Sequence, residues 1–388
     1  MQCGRQIRSA HHLPHRRHQG RHLRQVSACK LCAAGSFRLI FGAGPAPPPP
    51  EDGVVQEADD GSIYAVLVPP PNNPDNHASQ ILQLKDGTLL IAWFSGPGED
   101  QSGTAIVLSR ISTDGTVPKL GSKWSDAVVV SERDGYSNQN PVMYVDAGGE
   151  LHLFHSTMKA GSGESNAQIV HLVADDSDCN KWGKPDVLFS QPGSMPKNKV
   201  VTSLKGGVIF PFYMEVHGDY PVVALNEDEH GTGRWEPVIF PDSEKGASCN
   251  GRVQPSTVRL EPGKPKLLTY LRDRGGKHIY ASVSEDDGQT WSSCEKTGLP
   301  NNDAGIQLTV LDSGHLVLVF NPTTSANGKG RNILAIALST DQGDSWPHQR
   351  ILEQTDSGEY SYPTLVSDNE GECSGTAALL SMWVVFVS

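Results

Sequence analysis

Acidic side chains follow several predicted buried strands, where a carboxyl group is well placed for acid–base chemistry. Glu99 and Glu215 each come shortly after a run of aromatic residues at the end of such a strand. Two carboxyl groups can hydrolyse a glycoside when one protonates the leaving oxygen and the other activates water or attacks the sugar. His77 with a tyrosine could instead abstract a sugar proton, as a polysaccharide lyase requires. Further carboxylates in or beside such loops are Asp100, Asp273, Asp303 and Glu359.

Five regularly spaced tryptophans indicate the elements that must position these groups. The intervals between Trp124, Trp182, Trp235, Trp291 and Trp346 are 58, 53, 56 and 55 residues. Each unit holds roughly four short apolar runs between turn signals, which is the size of a propeller blade. Five marked units and a last partial one predict an all-β, six-bladed β-propeller. A β-helix would need a far shorter period, and separate sandwiches need not repeat.

Two of the units end in nearly the same turn motif, at residues 284–291 and 339–346. Both contain Ser, Asp, Gly and Trp in register. The Asp carboxylate can accept hydrogen bonds from backbone N–H groups while Gly takes a positive φ. We therefore interpret Asp286 and Asp341 as structural. Three other copies are degenerate, including Asn226-Glu227-Asp228 before Trp235.

The charge is divided unevenly along the chain. The whole chain has a net charge of −12, the first 50 residues carry +8 and no acidic residue, and the rest therefore carries −20. We predict two parts: a basic, His/Arg/Pro-rich segment, disordered or similar to a transit peptide, at 1–50, and a propeller at 51–388. The acidic body argues against a nucleic-acid partner, because phosphate contacts need clustered Lys and Arg. No apolar run is long enough for a membrane span.

Cysteine and histidine spacing gives no sign of a metal or disulfide framework. The seven cysteines are scattered, and Cys29 and Cys32 form a lone pair within the basic segment. The sequence therefore predicts no metal and no cofactor. Since no permissive Asn-x-Ser/Thr sequon occurs, a cytoplasmic or organellar location is favoured over secretion. The last apolar run, residues 379–387, could serve as a replacement strand for the final blade.

The repeated turn resembles the Asp-box of the sialidase superfamily of BNR/Asp-box propellers, over roughly residues 63–370. A closer resemblance is to a group of predicted neuraminidases with a BNR-repeat-like domain. The segments that carry it are His77-Ala78-Ser79, Trp93-Phe94-Ser95-Gly96 followed by Glu99, Asn140-Pro141, Asn198-Lys199, Tyr213-Met214-Glu215, Gln254-Pro255-Ser256, Arg272, Asn301-Asn302-Asp303-Ala304-Gly305, Asn321, Arg331 and Tyr360-Ser361-Tyr362-Pro363.

The resemblance implies roles for individual residues. Sialidases hold the substrate carboxylate with three arginines, attack with a tyrosine polarised by a glutamate, and use an aspartate as acid/base. Arginine suits that clamp because its guanidinium is always charged and binds carboxylates bidentately. Taken together, our arguments assign catalysis to Tyr360, Glu99, Glu215 and His77. They assign substrate binding to Arg272, Arg331, Gln254, Asn140, Lys199, Asn321 and Tyr362.

Two positions depart from the sialidase pattern. The segment His77-Ala78-Ser79 has no arginine where sialidases have the first of three. Gln254 stands where the tyrosine-activating glutamate is expected, and an amide cannot accept the phenol proton. We therefore expect an exo-acting glycoside hydrolase with a carbohydrate substrate, an acidic or deoxy sugar at a glycan terminus. The alternatives are a catalytically degenerate glycan-binding propeller and a polysaccharide lyase.

Overall fold

The structure, a computed structural model, is almost entirely β. It describes residues 51–58, 63–113, 118–216, 218–228, 230–231, 233–241, 249–327, 330–356, 358–367, 375–378 and 383–387. The only helices in these ranges are two short 3-10 turns, Glu164–Asn166 and Ser325–Asn327. No helix in the described ranges is long and apolar enough to cross a membrane. Residues 1–50, including Cys29 and Cys32, lie outside the described residues, so the predictions about that segment stay predictions.

Five antiparallel sheets of consecutive strands form the blades of a β-propeller. The first strands among the described residues are β1 (Gln56–Glu57) and β2 (Ile63–Val66). Blade 1 contains β3 (Asp75–Gln83), β4 (Leu89–Gly96), β5 (Ala105–Ile111) and β6 (Val128–Ser131). Blade 2 contains β7 (Tyr136–Val145), β8 (Leu151–Lys159), β9 (Gln168–Val173) and β10 (Asp186–Phe189).

The remaining blades repeat this order from the inner strand outwards. Blade 3 contains β11 (Ser194–Pro196), β12 (Val201–Thr202), β13 (Val208–Met214), β14 (Tyr220–Asn226) and β15 (Glu236–Ile239). Blade 4 contains β16 (Arg252–Arg259), β17 (Leu267–Asp273), β18 (His278–Ser284) and β19 (Glu295–Pro300). Blade 5 contains β20 (Gln307–Val310), β21 (Leu316–Phe320), β22 (Ile333–Ser339) and β23 (His348–Gln354).

A further sheet joins the two ends of the described chain. It has the strand order β1-β2-β25-β24, in which β24 is Gly375–Ala378 and β25 is Trp383–Val387. The last apolar run of the chain therefore does contribute a strand, which pairs with β2 in antiparallel register. Because this sheet is not built from consecutive strands like the others, five blades are established and the predicted count of six is not confirmed.

Polar side chains on the inner strands link each blade to the next. The backbone N–H of Met143 donates to Gln80 Oε1 at 2.9 Å, and that of Leu308 donates to Ser256 Oγ at 2.8 Å. After blade 5, the segment 361–367 continues the pattern, since the N–H of Ile81 donates to Thr364 Oγ1 at 3.1 Å. These bonds satisfy backbone groups that the propeller interior hides from water, and they fix the order of the inner strands.

The two Asp-box turns have the structural role that the sequence predicts. Asp286 Oδ1 accepts the N–H of Thr290 at 2.8 Å, and Ser284 Oγ accepts the N–H of Gly288 at 2.8 Å. The turn at 339–346 repeats both bonds. Each turn connects the third strand of a blade to the fourth. The carboxylates hold backbone groups and are not free for chemistry.

The structure contains one disulfide among the described residues, which the sequence reading missed. Cys249 and Cys294 are joined, and both side chains are buried beside Phe240 and Trp291. Their 45-residue separation gave no recognisable framework. Disulfides persist in oxidising compartments, so this bond weighs against a cytoplasmic location.

Removing the disulfide is expected to destabilise the fold without changing the blades. The double substitution Cys249→Ala with Cys294→Ala should lower the free energy of unfolding by about 2–4 kcal/mol, because the unfolded chain regains the freedom of a closed loop. Urea unfolding measures this loss. Cys179→Ala, which removes a free buried thiol, is the control for lost packing alone. A double variant that loses no more than twice the control value would show that the bond contributes nothing.

Candidate active site

Register shifts in the inner strands re-aim side chains towards one end of the propeller. Pairing slips between His77 and Gln80 in β3 and between Val253 and Ser256 in β16. At these bulges Ala78 has a φ of 54° and Gln254 a φ of 53°. Tyr362 has a φ of 54° in the segment after blade 5. Left-handed backbone costs a non-glycine residue roughly 1–2 kcal/mol. The recurrence of this conformation at Ala78, Gln254 and Tyr362 marks a candidate functional site.

Tyr362 is the centre of the side-chain cluster at that end. Arg272 Nη1 donates to its hydroxyl oxygen at 2.5 Å, and Gln254 Nε2 donates to the same oxygen at 3.3 Å. Three cationic groups, on Arg272, Arg331 and Lys197, each lie 5.5 Å from the centroid of its ring. The phenol oxygen therefore has two donors, and the basic groups around the ring favour an anionic group bound nearby.

The contact between Gln254 and Tyr362 depends on a glycine in the next blade. A Cβ on Gly305 would lie 3.1 Å from Gln254 Oε1 and 3.4 Å from Tyr362 Cγ. Gln254 is fully buried, and its Oε1 has no hydrogen-bond partner among the described residues. The amide therefore has one unused acceptor beside Gly305.

Three arginines form a network with carboxylates around Tyr362. Asp303 Oδ1 accepts from Arg272 Nε at 2.7 Å and lies 3.8 Å from Arg274 Nη1. Arg331 donates to the carbonyl oxygen of Asp303 at 2.7 Å and to Glu359 Oε1 at 2.8 Å. The network holds the guanidinium groups in fixed positions, which suits recognition of a planar anion. Because its carboxylates are already paired with arginines, it favours anion binding over a metal.

His77 packs beside Tyr362 and is held neutral. The two ring centroids lie 4.2 Å apart, and His77 Nε2 is 3.9 Å from Glu99 Oε1. Burial and, after it, the charges of Arg331, Lys197 and Arg272 together lower the pKa of His77 to about 3. Burial also lowers the pKa of Lys197 to about 7. The imidazole can therefore accept a proton but cannot replace a permanently charged arginine.

Burial raises the pKa of three glutamates beside this cluster. Burial, followed by the charges of Glu215 and Glu99, raises the pKa of Glu164 to about 7. Burial also raises the pKa of Glu99, with a further contribution from Asp75. The pKa of Glu215 is raised by burial although Arg274 donates to its carboxylate. We regard Glu215 as ionised because of that direct contact, which leaves Glu164 as the carboxyl group best matched to proton donation near neutral pH.

The structure brings together seven of the eleven residues that the sequence predicted for the site. These are His77, Glu99, Glu215, Gln254, Arg272, Arg331 and Tyr362. The ring of Tyr360 instead packs against a hydrophobic cluster that includes Leu365 and Leu338. Asn321 Nδ2 donates to the carbonyl oxygens of Ile333 and Tyr360, each at 2.7 Å, so it supports the chain that carries Tyr362.

The other two predicted residues are Lys199, which has a structural contact, and Asn140. Lys199 Nζ donates to the carbonyl oxygen of Leu365, which ties blade 3 to the segment after blade 5. Asn140 is buried at the bulge of β7, where its φ is 53° and Pro141 follows. Asn140 shares this pre-proline, positive-φ position with Gln254 and Tyr362.

Sequence reasoning missed four residues of the cluster: Glu164, Lys197, Tyr213 as an individual residue and Arg274. Arg274 lies two residues after Arg272, and its Nε donates to Asp219 at 3.2 Å. Tyr213 is buried, and burial together with the charges of Glu164 and Tyr362 raises its pKa. Arg274, Lys197 and Tyr213 had a usable signal, since each lies within two residues of a residue that was singled out.

The fold is similar to that of known sialidases. The Hadza microbial sialidase matches with a TM-score of 0.64 and 17% identity over 81% of this chain, which spans 65%, just under two thirds, of that protein. The NanB sialidase from Streptococcus pneumoniae matches with a TM-score of 0.61 and 12% identity, covering 81% of this chain and 68% of that one. A Dyadobacter fermentans protein of unknown function matches with a TM-score of 0.62 and 14% identity, covering 86% and 98%.

Sequence comparison adds the family. No curated protein matches this sequence. The BNR repeat-like domain matches residues 87–374, a span that includes all five blades except the start of blade 1. Since this match covers more than half of the chain and agrees with the sialidase-like fold, the chain belongs to the BNR repeat-like domain family.

Proposed function

We propose that this protein is a glycoside hydrolase that removes an acidic sugar from a glycan terminus, with Tyr362 as the nucleophile. The observation that carries the proposal is the Tyr362 hydroxyl oxygen, which accepts from Arg272 at 2.5 Å and Gln254 at 3.3 Å. A tyrosine is neutral before it reacts, so it can approach an anionic sugar without the repulsion that a carboxylate nucleophile would meet. This position replaces Tyr360 as our candidate nucleophile.

The cations around Tyr362 support an anionic substrate. Arg272, Arg331 and Lys197 surround the ring at equal distances of 5.5 Å. A carboxylate on the sugar would bind these groups while the anomeric carbon faces the hydroxyl of Tyr362. Arg272 is almost fully buried, and a charge-assisted hydrogen bond from a buried guanidinium is worth roughly 1.5–3 kcal/mol.

The reaction needs one group that gives a proton and one that takes a proton. Tyr362 Oη bonds to the anomeric carbon, the glycosidic bond breaks, and Glu164 protonates the leaving oxygen. Water then attacks the anomeric carbon and gives a proton to the Glu164 carboxylate, while the bond from the sugar to Tyr362 Oη breaks and the phenol regains its proton. We assign removal of the phenol proton to His77, because Gln254 is not a base. Burial and the charges of Arg331, Lys197 and Arg272 lower the pKa of His77. A bound carboxylate would offset those charges, so the imidazole would become more basic when the substrate is present.

A panel of fluorogenic glycosides tests this proposal. It should contain α-sialosides, other keto-deoxy sugar acids, uronides and neutral hexosides. We expect release from at least one acidic glycoside and none from the neutral ones. No release from any acidic sugar would overturn the hydrolase assignment.

A polysaccharide lyase is the second candidate, and one contact favours it. The rings of His77 and Tyr362 lie 4.2 Å apart, so one could remove a proton next to a sugar carboxylate while the other protonates the leaving group. Such a reaction leaves an unsaturated sugar. New ultraviolet absorbance during polysaccharide depolymerisation would identify the lyase, whereas reducing sugar without absorbance would support hydrolysis.

We also propose that residues 51–388 form one closed propeller whose sixth blade is the terminal sheet. The segment 361–367 supports this, because it accepts a hydrogen bond from blade 1 through Thr364 and donates one to Gln307 of blade 5 through the N–H of Leu365. In that arrangement Tyr362 belongs to the inner segment of the closing blade. Deleting residues 375–388 should then expose blade edges and promote aggregation, which light scattering measures.

A further inference from the structure

Four side chains that could ligate a metal meet where blades 2 and 3 adjoin. Asp146 and Glu150 lie in the turn between β7 and β8, and His152 is the second residue of β8 and is buried. His230 reaches them from the connection between β14 and β15. One ligand atom from each of the four lies within 4.8 Å of the others.

This cluster is separate from the candidate active site. The active-site groups Glu99, Glu164 and Glu215 lie in or beside connections between second and third strands of blades. Asp146 and Glu150 lie in a connection between first and second strands, and His230 lies in one between third and fourth strands. In an antiparallel blade, the connections between first and second strands and between third and fourth strands lie at one end. The connections between second and third strands lie at the opposite end. The cluster therefore plays no part in the proposed hydrolysis.

A degenerate Asp-box turn brings His230 into the cluster. The N–H of His230 donates to Asp228 Oδ1 at 2.8 Å, and Trp235 Nε1 donates to the carbonyl oxygen of Gly231 at 3.2 Å. The second bond repeats the one from Trp291 to Gly288 in the intact box. His230 precedes the box glycine, as Asp287 does in blade 4 and Gln342 does in blade 5.

That box position contacts the preceding blade in each case. Asp287 Oδ2 accepts the N–H of Leu204 at 2.8 Å, and Gln342 Nε2 donates to Glu261 Oε1 at 3.5 Å. At Asp287 and Gln342, hydrogen bonds alone therefore connect the box to the preceding blade. Only in blade 3 is the residue an imidazole that faces two carboxylates and a second histidine.

The distances within the cluster are those of a small coordination sphere. Ligand atoms at 2.0–2.1 Å from a tetrahedral zinc are about 3.3 Å apart. His152 Nε2 lies 3.3 Å from Asp146 Oδ2, and His230 Nδ1 lies 3.7 Å from Glu150 Oε2. His230 Nδ1 also contacts Asp146 Oδ2. Two imidazole nitrogens from different blades are thus directed at one oxygen of a carboxylate that is fully buried.

The surroundings orient the ligands and leave one side accessible. His152 Nδ1 is 2.9 Å from His171 Nε2, so its other nitrogen is directed towards Asp146. A metal-bound histidine is usually held in this way through its second ring nitrogen. The side chains of His230 and Glu150 are 40% and 61% exposed, whereas those of Asp146 and His152 are at most 2% exposed. An ion could enter from solvent and bind against the buried half.

We propose that Asp146, Glu150, His152 and His230 bind a divalent transition-metal ion that links blades 2 and 3. Two imidazoles with two carboxylates suit zinc best among common ions, because calcium and magnesium prefer oxygen ligands alone. The site would be structural, joining blades 2 and 3 through the box position that contacts the preceding blade.

Zinc binding to the full-length protein tests the proposal. After treatment with EDTA, ZnCl₂ is titrated calorimetrically into the wild type, His230→Ala and His348→Ala. The last variant is a matched control that removes an exposed imidazole from β23. The histidines in residues 1–50 remain in all three proteins and contribute equally.

We expect the wild type and the control to bind one zinc ion at this site. His230→Ala should bind that ion at least about 100-fold more weakly, because loss of even an outer-shell partner of a metal ligand lowers metal affinity 10–100-fold. The melting temperature should rise with zinc in the first two proteins and rise less in His230→Ala. An anomalous signal at the zinc edge among the four side chains would agree. The proposal is overturned if the wild type binds no zinc, or if His230→Ala matches His348→Ala in affinity and melting temperature.

Discussion

Replacing Tyr362 by phenylalanine is expected to lower kcat on an acidic glycoside by at least about 1000-fold, since the substitution removes the atom that attacks the sugar. The phenylalanine ring keeps its packing against His77 and the three cations, and only the contacts from Arg272 and Gln254 to the oxygen are lost. Substrate binding should therefore change much less than turnover. Steady-state kinetics on the glycoside that the panel identifies measure both.

Tyr360→Phe is the matched control for this experiment. It removes the same hydroxyl two residues away, from a ring that packs in the hydrophobic cluster after blade 5. We expect its kcat to stay within a few-fold of the wild type. If Tyr360→Phe were the inactive variant and Tyr362→Phe active, our choice between the two tyrosines would be wrong. If both kept full activity, the nucleophile would have to be another group or water.

The choice between these tyrosines shows where sequence reasoning reached its limit. Along a regular strand, residues two apart point to the same face, so spacing from the last Asp-box could not separate Tyr360 from Tyr362. The backbone separates them, because Tyr362 takes a positive φ before Pro363. The same conformation precedes proline at Asn140 and Gln254. The Asn-Pro, Gln-Pro and Tyr-Pro pairs were therefore the available signal for the inner bulges.

Local patterns predicted the blades well. Apolar runs between turns and the Trp period are properties of single repeats, and each four-stranded blade is made almost entirely of neighbouring chain segments. The terminal sheet was harder, because β2 and β25 pair across more than 300 residues. The disulfide and the cluster of Asp146 and His230 were missed for the same reason, since each joins groups that only the folded ring brings together.

The residues of the candidate site were expected in part through the resemblance to sialidases. Gln254 was expected beside the predicted nucleophile Tyr360, and its amide contacts Tyr362 instead. Glu164 had no motif to mark it, because it lies in a short 3-10 turn and its altered pKa comes from burial and from glutamates in other loops. A property that arises from several blades together cannot be read from one segment of sequence.

Replacing Glu164 by glutamine is expected to lower kcat by about 10²–10⁴-fold, the usual contribution of a general acid. A general acid must be protonated to act, and the pKa of Glu164 is about 7. The wild-type rate should therefore fall as pH rises above about 7. The residual activity of Glu164→Gln should lack that descending limb, and a substrate with a leaving group that needs no protonation should recover much of the lost rate.

The same substitution should stabilise the fold at alkaline pH. Burial and the neighbouring carboxylates raise the pKa of Glu164 from 4.5 to about 7, so the folded state binds the proton more tightly than the unfolded state. Stability from this group is complete below pH 4.5 and is lost as pH rises through 7. Glutamine never ionises, and Glu164→Gln should thus melt at a higher temperature than the wild type at pH 8 and at a similar temperature at pH 5.

An exposed carboxylate provides the control for both measurements. Glu295→Gln removes one negative charge from β19, the outer strand of blade 4, and should change neither the pH–rate profile nor the difference in melting temperature between pH 5 and pH 8. Loss of activity in Glu164→Gln without a gain in stability at pH 8 would mean that the carboxyl group is ionised and binds a cation or substrate group. A gain in stability without loss of activity would transfer the proton donor to Glu99, the other glutamate whose pKa is raised near Tyr362. The two readouts together therefore distinguish a Glu164 carboxyl group that is protonated at neutral pH from an ionised one that binds a cation or a substrate group. Only the protonated carboxyl group destabilises the fold when its proton leaves at alkaline pH.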